Sequence, residues 1–379
     1  MKTRITYALL IFLCLLLPGQ VIAQSLGFKG QAIGWTTLNP AEPFQTQFGL
    51  RYIPELSFTL PAGNYTIDGE FSANIWGSGL YQGDSISLDE QLSPYRMWIR
   101  FSSDQFELRA GLQKINFGSA QMFRPLMWFD RIDPRDPLQL TDGVYGLLAR
   151  YYFLNNANIW LWGLYGDDKI KGWELIPSLK NSIEYGGRLQ LPFFTGEVAA
   201  TYHHRTADPT AVLPDSITLG NHAAENRIAL DTKVDLLVGL WAEASLTHQD
   251  LSFTEQKYKT MLNAGMDYTF GIGSGINVMA EGFGYLQGDQ AFGADEKLAF
   301  GLLSATYPVS IIHSVNAMMF YDFTNKNLYR FVNWTMAWDR WSFYVMGFWN
   351  PETYTLYNVD PRTSLYGGWG FQLMAVFNH

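Results

Sequence analysis

The chain has 379 residues, with 26 basic side chains against 35 acidic ones and a formal net charge of −9. That balance argues against general nucleic-acid binding, which is driven by basic surface. Aromatic residues make up 16% of the chain and mean hydropathy is −0.06, far from a helical membrane protein.

At the start, Lys2 and Arg4 precede an apolar run from Ile5 to Leu17, broken by Pro18-Gly19 and followed by Val21-Ile22-Ala23. This is the layout of a secretory signal peptide over residues 1–23, and the run is too short to span a bilayer as an ordinary helix. The single cysteine, Cys14, lies inside the run, and no small residue precedes it as lipoprotein cleavage would want. Residues 24–379 then have no thiol for a disulfide, a metal site or a nucleophile. Without Lys2 and Arg4, 24 basic residues face 35 acidic ones. Past residue 23 no apolar run approaches the roughly eighteen residues of a transmembrane helix.

The clearest period-two pattern covers residues 65–113. Tyr65, Ile67, Phe71, Ala73 and Ile75 fall on one face, and Thr66, Asp68, Glu70, Ser72 and Asn74 on the other. Tyr95, Met97, Ile99 and Phe101 then alternate with Arg96, Trp98, Arg100 and Ser102; Phe106, Leu108, Ala110 and Leu112 alternate with Glu107, Arg109 and Gln113. Such alternation is a sheet pattern and not a helix stripe.

Connections alternate between short and long. Tight turns are expected at 61–64, 102–105, 155–157, 271–275 and 339–340; longer loops at 77–92, 118–143, 167–182, 206–224, 248–257, 286–296 and 350–362. The spacing gives about eighteen strands, the last over 364–377, where Trp369, Phe371, Leu373, Ala375 and Phe377 share one face. Sixteen is the alternative if weak pairs near 234–238 or 307–313 are misassigned. One apolar face, an even strand count and alternating turn lengths describe an all-β, antiparallel, up-and-down transmembrane barrel over residues 24–379, surrounded by outer-membrane lipid.

The segment 109–143 is the least ordinary. It runs Arg109-Ala-Gly-Leu-Gln113, closes on Phe117-Gly118, and continues through Arg124, Pro125, Asp130, Arg131, Asp133, Pro134, Arg135, Asp136 and Pro137. An Arg-x-Gly-x-Gln strand, an aromatic-Gly pair and a long loop rich in Pro and Asp resemble Gram-negative outer-membrane porins, nearest the porin-like and alginate-export-like large barrels. The resemblance covers about 35 residues; the rest is barrel pattern. It implies that loop 118–143 folds inward and narrows the pore, with Arg124, Asp130, Arg131, Asp133, Arg135 and Asp136 at a constriction. Charge at such a point sets ion selectivity. The competing reading is that these Arg and Asp residues pair with one another and stiffen the loop, helped by its prolines.

The inward faces suggest two walls. Arg51, Arg96, Arg100, Arg109 and Arg150 come from the second to sixth strands; Glu243, Asp267, Glu281 and Asp322 come from the eleventh to fifteenth. In a ring of eighteen these oppose one another, and a transverse field would orient dipolar solutes. Asp68, Glu70 and Glu107 dilute the basic side. The inward Trp76, Trp98 and Trp241 could stack on sugar rings or serve as packing. Histidines 203, 204, 222, 248, 313 and 379 form no nucleophile arrangement, and adjacent His203 and His204 cannot share a strand face. No enzyme activity, cofactor, metal or nucleic-acid partner is expected. The expectation is a channel for passive diffusion of small hydrophilic solutes, with a homo-oligomer by analogy. Two alternatives stay open: a polysaccharide-export or surface-assembly barrel with periplasmic partners, and a closed structural barrel.

Overall fold

The computed structural model describes residues 25–379 except 43, 134, 167–168, 212–221, 252–253 and 353–364. The expected export signal, residues 1–23, and Pro134 lie outside the described residues. Eighteen strands follow one another: β1 (Ser25–Asn39), β2 (Gln45–Ala62), β3 (Tyr65–Gln82), β4 (Ser85–Ser102), β5 (Phe106–Gln113), β6 (Val144–Tyr152), β7 (Asn158–Tyr165), β8 (Ile183–Phe193) and β9 (Gly196–Ala207). The second half comprises β10 (Ala223–Asp235), β11 (Gly239–Gln249), β12 (Tyr258–Phe270), β13 (Ile276–Gly288), β14 (Glu296–Pro308), β15 (His313–Asp322), β16 (Asn327–Ala337), β17 (Trp341–Trp349) and β18 (Trp369–Asn378).

Each strand pairs antiparallel with its sequence neighbour, and β1 pairs with β18 from Gln31↔Asn378 to Leu38↔Phe371. The amides and carbonyls of Gly30 and His379 exchange two hydrogen bonds of 3.0 Å at that seam. The sheet is closed, so no edge runs the height of the barrel, as a sheet in lipid requires.

All eighteen expected strands are present, but two boundaries differ in an informative way. The loop expected at 77–92 is absent: β3 and β4 continue to a two-residue turn at Gly83-Asp84, with Gln82 opposite Ser85. Gly77, Gly79, Ser85 and Ser87 weaken the alternation there, so a tall hairpin reads as loop. Conversely, β5 stops at Gln113 and not at Phe117, because the chain leaves the wall at Lys114 and turns into the barrel. The rim carrying Ser25 and His379 holds the short turns, such as 194–195 and 236–238; the longer connections that follow β5, β7 and β17 leave from the opposite rim.

The outer face is apolar. Leu50 is 73% exposed and Leu230 61%, and Phe28, Leu92, Ile99, Leu161 and Leu373 are likewise exposed. Aromatic pairs ring the short-turn rim: Tyr65 on Phe101 (5.0 Å between centroids), Tyr151 on Phe153 (4.9 Å), Tyr268 on Phe270 (4.8 Å) and Trp341 on Phe377 (4.8 Å). Tyr165, Tyr321, Trp349 and Trp369 are exposed towards the other rim. An apolar belt between two aromatic girdles matches hydrocarbon bounded by two headgroup layers.

Candidate functional site

The interior is built around segment 114–143. Its backbone is held by two wall carboxylates. Glu243 on β11 accepts hydrogen bonds from the amides of Ser119 (2.5 Å), Ala120 (2.7 Å) and Leu126 (3.4 Å). Glu281 on β13 accepts from Gln121 (2.7 Å), Met122 (3.1 Å) and Phe123 (2.9 Å), and from the Trp241 indole N–H (3.1 Å). Successive amides converging on a carboxylate stabilise its charge and fix the backbone, because charge-assisted bonds are about twice as strong as neutral ones. Gly118 makes the approach possible: its φ is +95°, and a side-chain carbon there would lie 2.4 Å from a Glu243 oxygen. The Asn263 amide N–H to the Phe123 carbonyl (2.8 Å) and Ser119 Oγ–H to the Thr232 carbonyl (3.1 Å) complete the attachment.

Apolar packing follows the same line. Phe123 stacks on Phe283 (5.3 Å, 20°) and meets Phe320 edge-on (5.7 Å), within a buried cluster that includes Met261, Leu302, Met318, Phe331 and Phe348. Phe117 stacks on Trp162 (5.6 Å, 20°), beside Leu126, Trp128, Phe129 and Leu148. These wall residues point inward from strands whose outer faces are also apolar. The sequence reading missed them, although runs such as Met318-Met-Phe-Tyr321 and Phe343-Tyr-Val-Met-Gly-Phe-Trp349 carried the signal: alternation fades where both faces are buried or in lipid.

A second loop, 166–182, lies against the first. The Trp173 indole donates to the Arg124 carbonyl (2.7 Å) and stacks on Phe283 (5.5 Å, 15°). Below it runs a buried ionic network on β8 to β10. Arg205, 0% exposed, grips Glu225 with two bonds of 2.7 Å and reaches Glu174 at 3.4 Å. Arg227 bridges Glu174 (2.7 Å) and Glu225 (2.5 Å); Lys171 meets Glu184 (2.5 Å), which also lies 3.3 Å from His203. His203 accepts from the Trp162 indole (3.2 Å), while His204 bonds Asn226 (2.9 Å), so the two histidines divide between opposite faces.

The residues expected at a constriction separate into three groups. Arg124 and Asp130 are buried within the loop, 3.6 Å apart, with Arg124 also bonded to Asn116; they are turned into the loop's own fold. Arg131 is exposed and its amide donates to Thr141 Oγ1 (3.0 Å). Asp133, Arg135 and Asp136 instead line a cavity of about 220 Å³ against β1, β2 and β18, with Trp35, Gln47, Arg51, Tyr366 and Gln372. Arg135 pairs with Asp133 (2.6 and 2.8 Å) and lies over the Tyr366 ring (4.8 Å). Asp136 accepts from the Leu138 amide (2.9 Å), and burial pushes its carboxyl above the ordinary aspartate value.

The wall residues expected on the two opposed sides are engaged by local partners. Glu243 and Glu281 are covered by the loop amides they hold, and Asp267 is engaged by the Asn277 side-chain amide (3.3 Å) near the short-turn rim. Asp322 caps the turn after β15 through Thr324 and Asn325. On the basic side, Arg96 is buried and donates to the Thr141 carbonyl (2.9 Å), tying down the far end of the loop. Arg100 pairs with Asp68 (2.9 Å), and Glu107 gathers Arg109 (2.9 Å), Arg150 (3.6 Å) and Arg100 (3.6 Å). Most of these wall charges thus have partners among their near neighbours.

No family model matches the chain, and no curated protein matches it. Solved structures do. Pseudomonas aeruginosa OpdQ matches with a TM-score of 0.55 at 8% identity, covering 94% of this chain and 99% of that one. Acinetobacter baumannii OccAB1 gives 0.55 at 10% identity over 95% and 97%, and Salmonella typhi OmpF 0.50 at 13% over 93% and 97%. It has the fold of a bacterial outer-membrane porin. This porin-type barrel carries its own lipid-facing belt and girdles, which match a wall set in a lipid bilayer.

Proposed function

We propose that this porin-type barrel is a passive channel for small hydrophilic solutes, narrowed by segment 114–143. The observation that carries the reading is the attachment of that segment to Glu243 and Glu281. Six amides hold it to one side of the lumen. The polar side chains of β1 to β6 then border the remaining path, with Arg51, Asp133, Arg135 and Asp136 among the charged groups beside it. Paired charges of both signs give weak ion selectivity, since a solute stripped of some water feels both.

The test is reversal potential across a salt gradient with the refolded protein in a planar bilayer. Weak selectivity is expected near neutral pH. The raised Asp136 carboxyl takes up its proton at a higher pH than an exposed aspartate, so acidification removes negative charge from the path early. The cation/anion permeability ratio should therefore fall, by roughly twofold, over a range beginning above the ordinary aspartate region. Asp136→Asn should lack that step. An unchanged pH profile in Asp136→Asn would remove Asp136 from the path.

A further inference from the structure

Three inward-facing tryptophans lie flat on a glycine of an adjacent strand. A side-chain carbon at Gly49 would fall 1.9, 2.2 and 2.4 Å from three adjacent ring carbons of Trp35. At Gly265 it would meet three adjacent Trp241 atoms at 2.3 to 2.5 Å, and at Gly186 two Trp162 atoms at 2.8 Å. At Gly49 and Gly265, near-equal distances to three bonded ring atoms mean that the glycine sits beneath a ring face and not at an edge. The sheet has thus removed a Cβ so that an indole can lie along the wall with its other face inward.

The protein covers two of those inward faces itself. Trp162 carries Phe117, stacked at 20°, and Trp241 is buried in the cluster that holds Ala120 and Phe123. Trp35 differs. It is half-buried, and among the described residues no aromatic ring stacks on it. The Arg51 guanidinium lies over the ring at 5.7 Å from its centroid and over that of Trp76 at 5.8 Å, a long cation–π contact that it shares between the two indoles. The Trp35 indole N–H is satisfied by Gln47 (3.2 Å), which fixes the ring in its plane. The inward face borders the 220 Å³ cavity, whose other polar walls are the Gln47 and Gln372 amides, the Tyr366 hydroxyl, Arg51 and Asp136.

An oriented indole face beside amides, a hydroxyl and charges of both signs suits a solute with one C–H face and a rim of hydroxyl groups. Gln47 already accepts from the Trp35 indole N–H, and Gln372 donates to Thr37 and to the Tyr366 oxygen, so the Gln47 N–H, the Gln372 carbonyl and the Tyr366 O–H are the groups that would meet a hydroxyl rim. A lone anion or cation would gain little, because Arg135 is already paired with Asp133 and the remaining charges oppose each other. The geometry points to a binding site for a neutral sugar, a pyranose lying with its C–H face on Trp35. The inference rests on the channel reading and names the solute class that this path would favour.

The experiment is saturation-transfer NMR on the refolded full barrel in micelles, with methyl α-glucopyranoside, zwitterionic alanine and acetate as separate probes. Saturation should reach the sugar ring protons and exceed that for alanine and acetate. Trp35→Ala should reduce it about fivefold, Trp35→Phe should retain part of it, and Trp334→Ala, on the exposed outer face, should leave it unchanged. Gly49→Ala, which lifts the indole from the wall while keeping it, should also reduce it. Equal transfer in the folded Trp35 variants, or alanine or acetate saturated as strongly as sugar, would overturn the site. The readout needs no current. A silent barrel that binds sugar contradicts the channel alone, and a conducting barrel that binds none contradicts this inference alone.

Discussion

Replacing Glu243 and Glu281 together by alanine is expected to raise single-channel conductance at least about twofold and to add open-channel noise. The two carboxylates accept the six loop amides described above, and each charge-assisted bond is worth on the order of 1.5–3 kcal/mol. Without them the Ser119–Leu126 backbone has unsatisfied donors in a partly dry interior, and the cheapest remedy is to move into lumen water. Apolar packing resists: Phe123 remains stacked on Phe283, and Phe117 on Trp162. The loop should therefore fluctuate between seated and released positions, which is the source of the noise. Glu281→Gln keeps one acceptor oxygen and should have a smaller effect. If the folded double variant conducts like the parent, the loop is not held by these carboxylates.

Arg205→Met should be the most destabilising single change, costing roughly 3–5 kcal/mol. It removes the cation that binds Glu225 through both oxygens and supports Glu174, leaving two carboxylates in a site with no access to water. Arg227 and Lys171 compensate only in part, since Arg227 already serves both carboxylates and Lys171 is held by Glu184. Arg205→Lys should recover little, because a single ammonium cannot reproduce the two-pronged contact. Urea unfolding followed by tryptophan fluorescence measures the loss, and cleavage of loop 166–182 by added protease reports its detachment. A variant as stable as the parent would mean the network is dispensable.

Much of the fold was legible because a membrane barrel writes its period into every strand. Asp68, Arg100, Arg109 and Arg150 appeared on an inward face from alternation alone, and they face inward. The wall of β12 to β17 was harder. Met318 and Phe320 point inward while Met319 and Tyr321 point to lipid, so the period vanishes where loop side chains fill the lumen. The tall β3–β4 hairpin was hidden by glycine and serine, which carry no hydropathy signal. Inward-facing residue types were readable at the site, but their partners were not. Glu243 and Glu281 looked like one half of a field. Nothing local to β11 or β13 announces that backbone amides more than a hundred residues earlier in the chain would return to them. Arg124 and Asp130 sit in the same charged stretch as Arg135 and Asp136, yet only the loop's three-dimensional path sends one pair inward and leaves the other beside the cavity.

The most direct measurement is osmotic swelling of liposomes holding the refolded wild-type barrel, with uncharged solutes graded in size from glycerol through monosaccharides to trisaccharides. A channel narrowed by segment 114–143 should admit the smallest solutes quickly and exclude the largest, and the Glu243→Ala, Glu281→Ala double variant should move the cutoff upward. Swelling no faster than that of empty liposomes for every solute, from a barrel shown to be folded and unchanged by the double substitution, would contradict the account and leave a closed structural barrel.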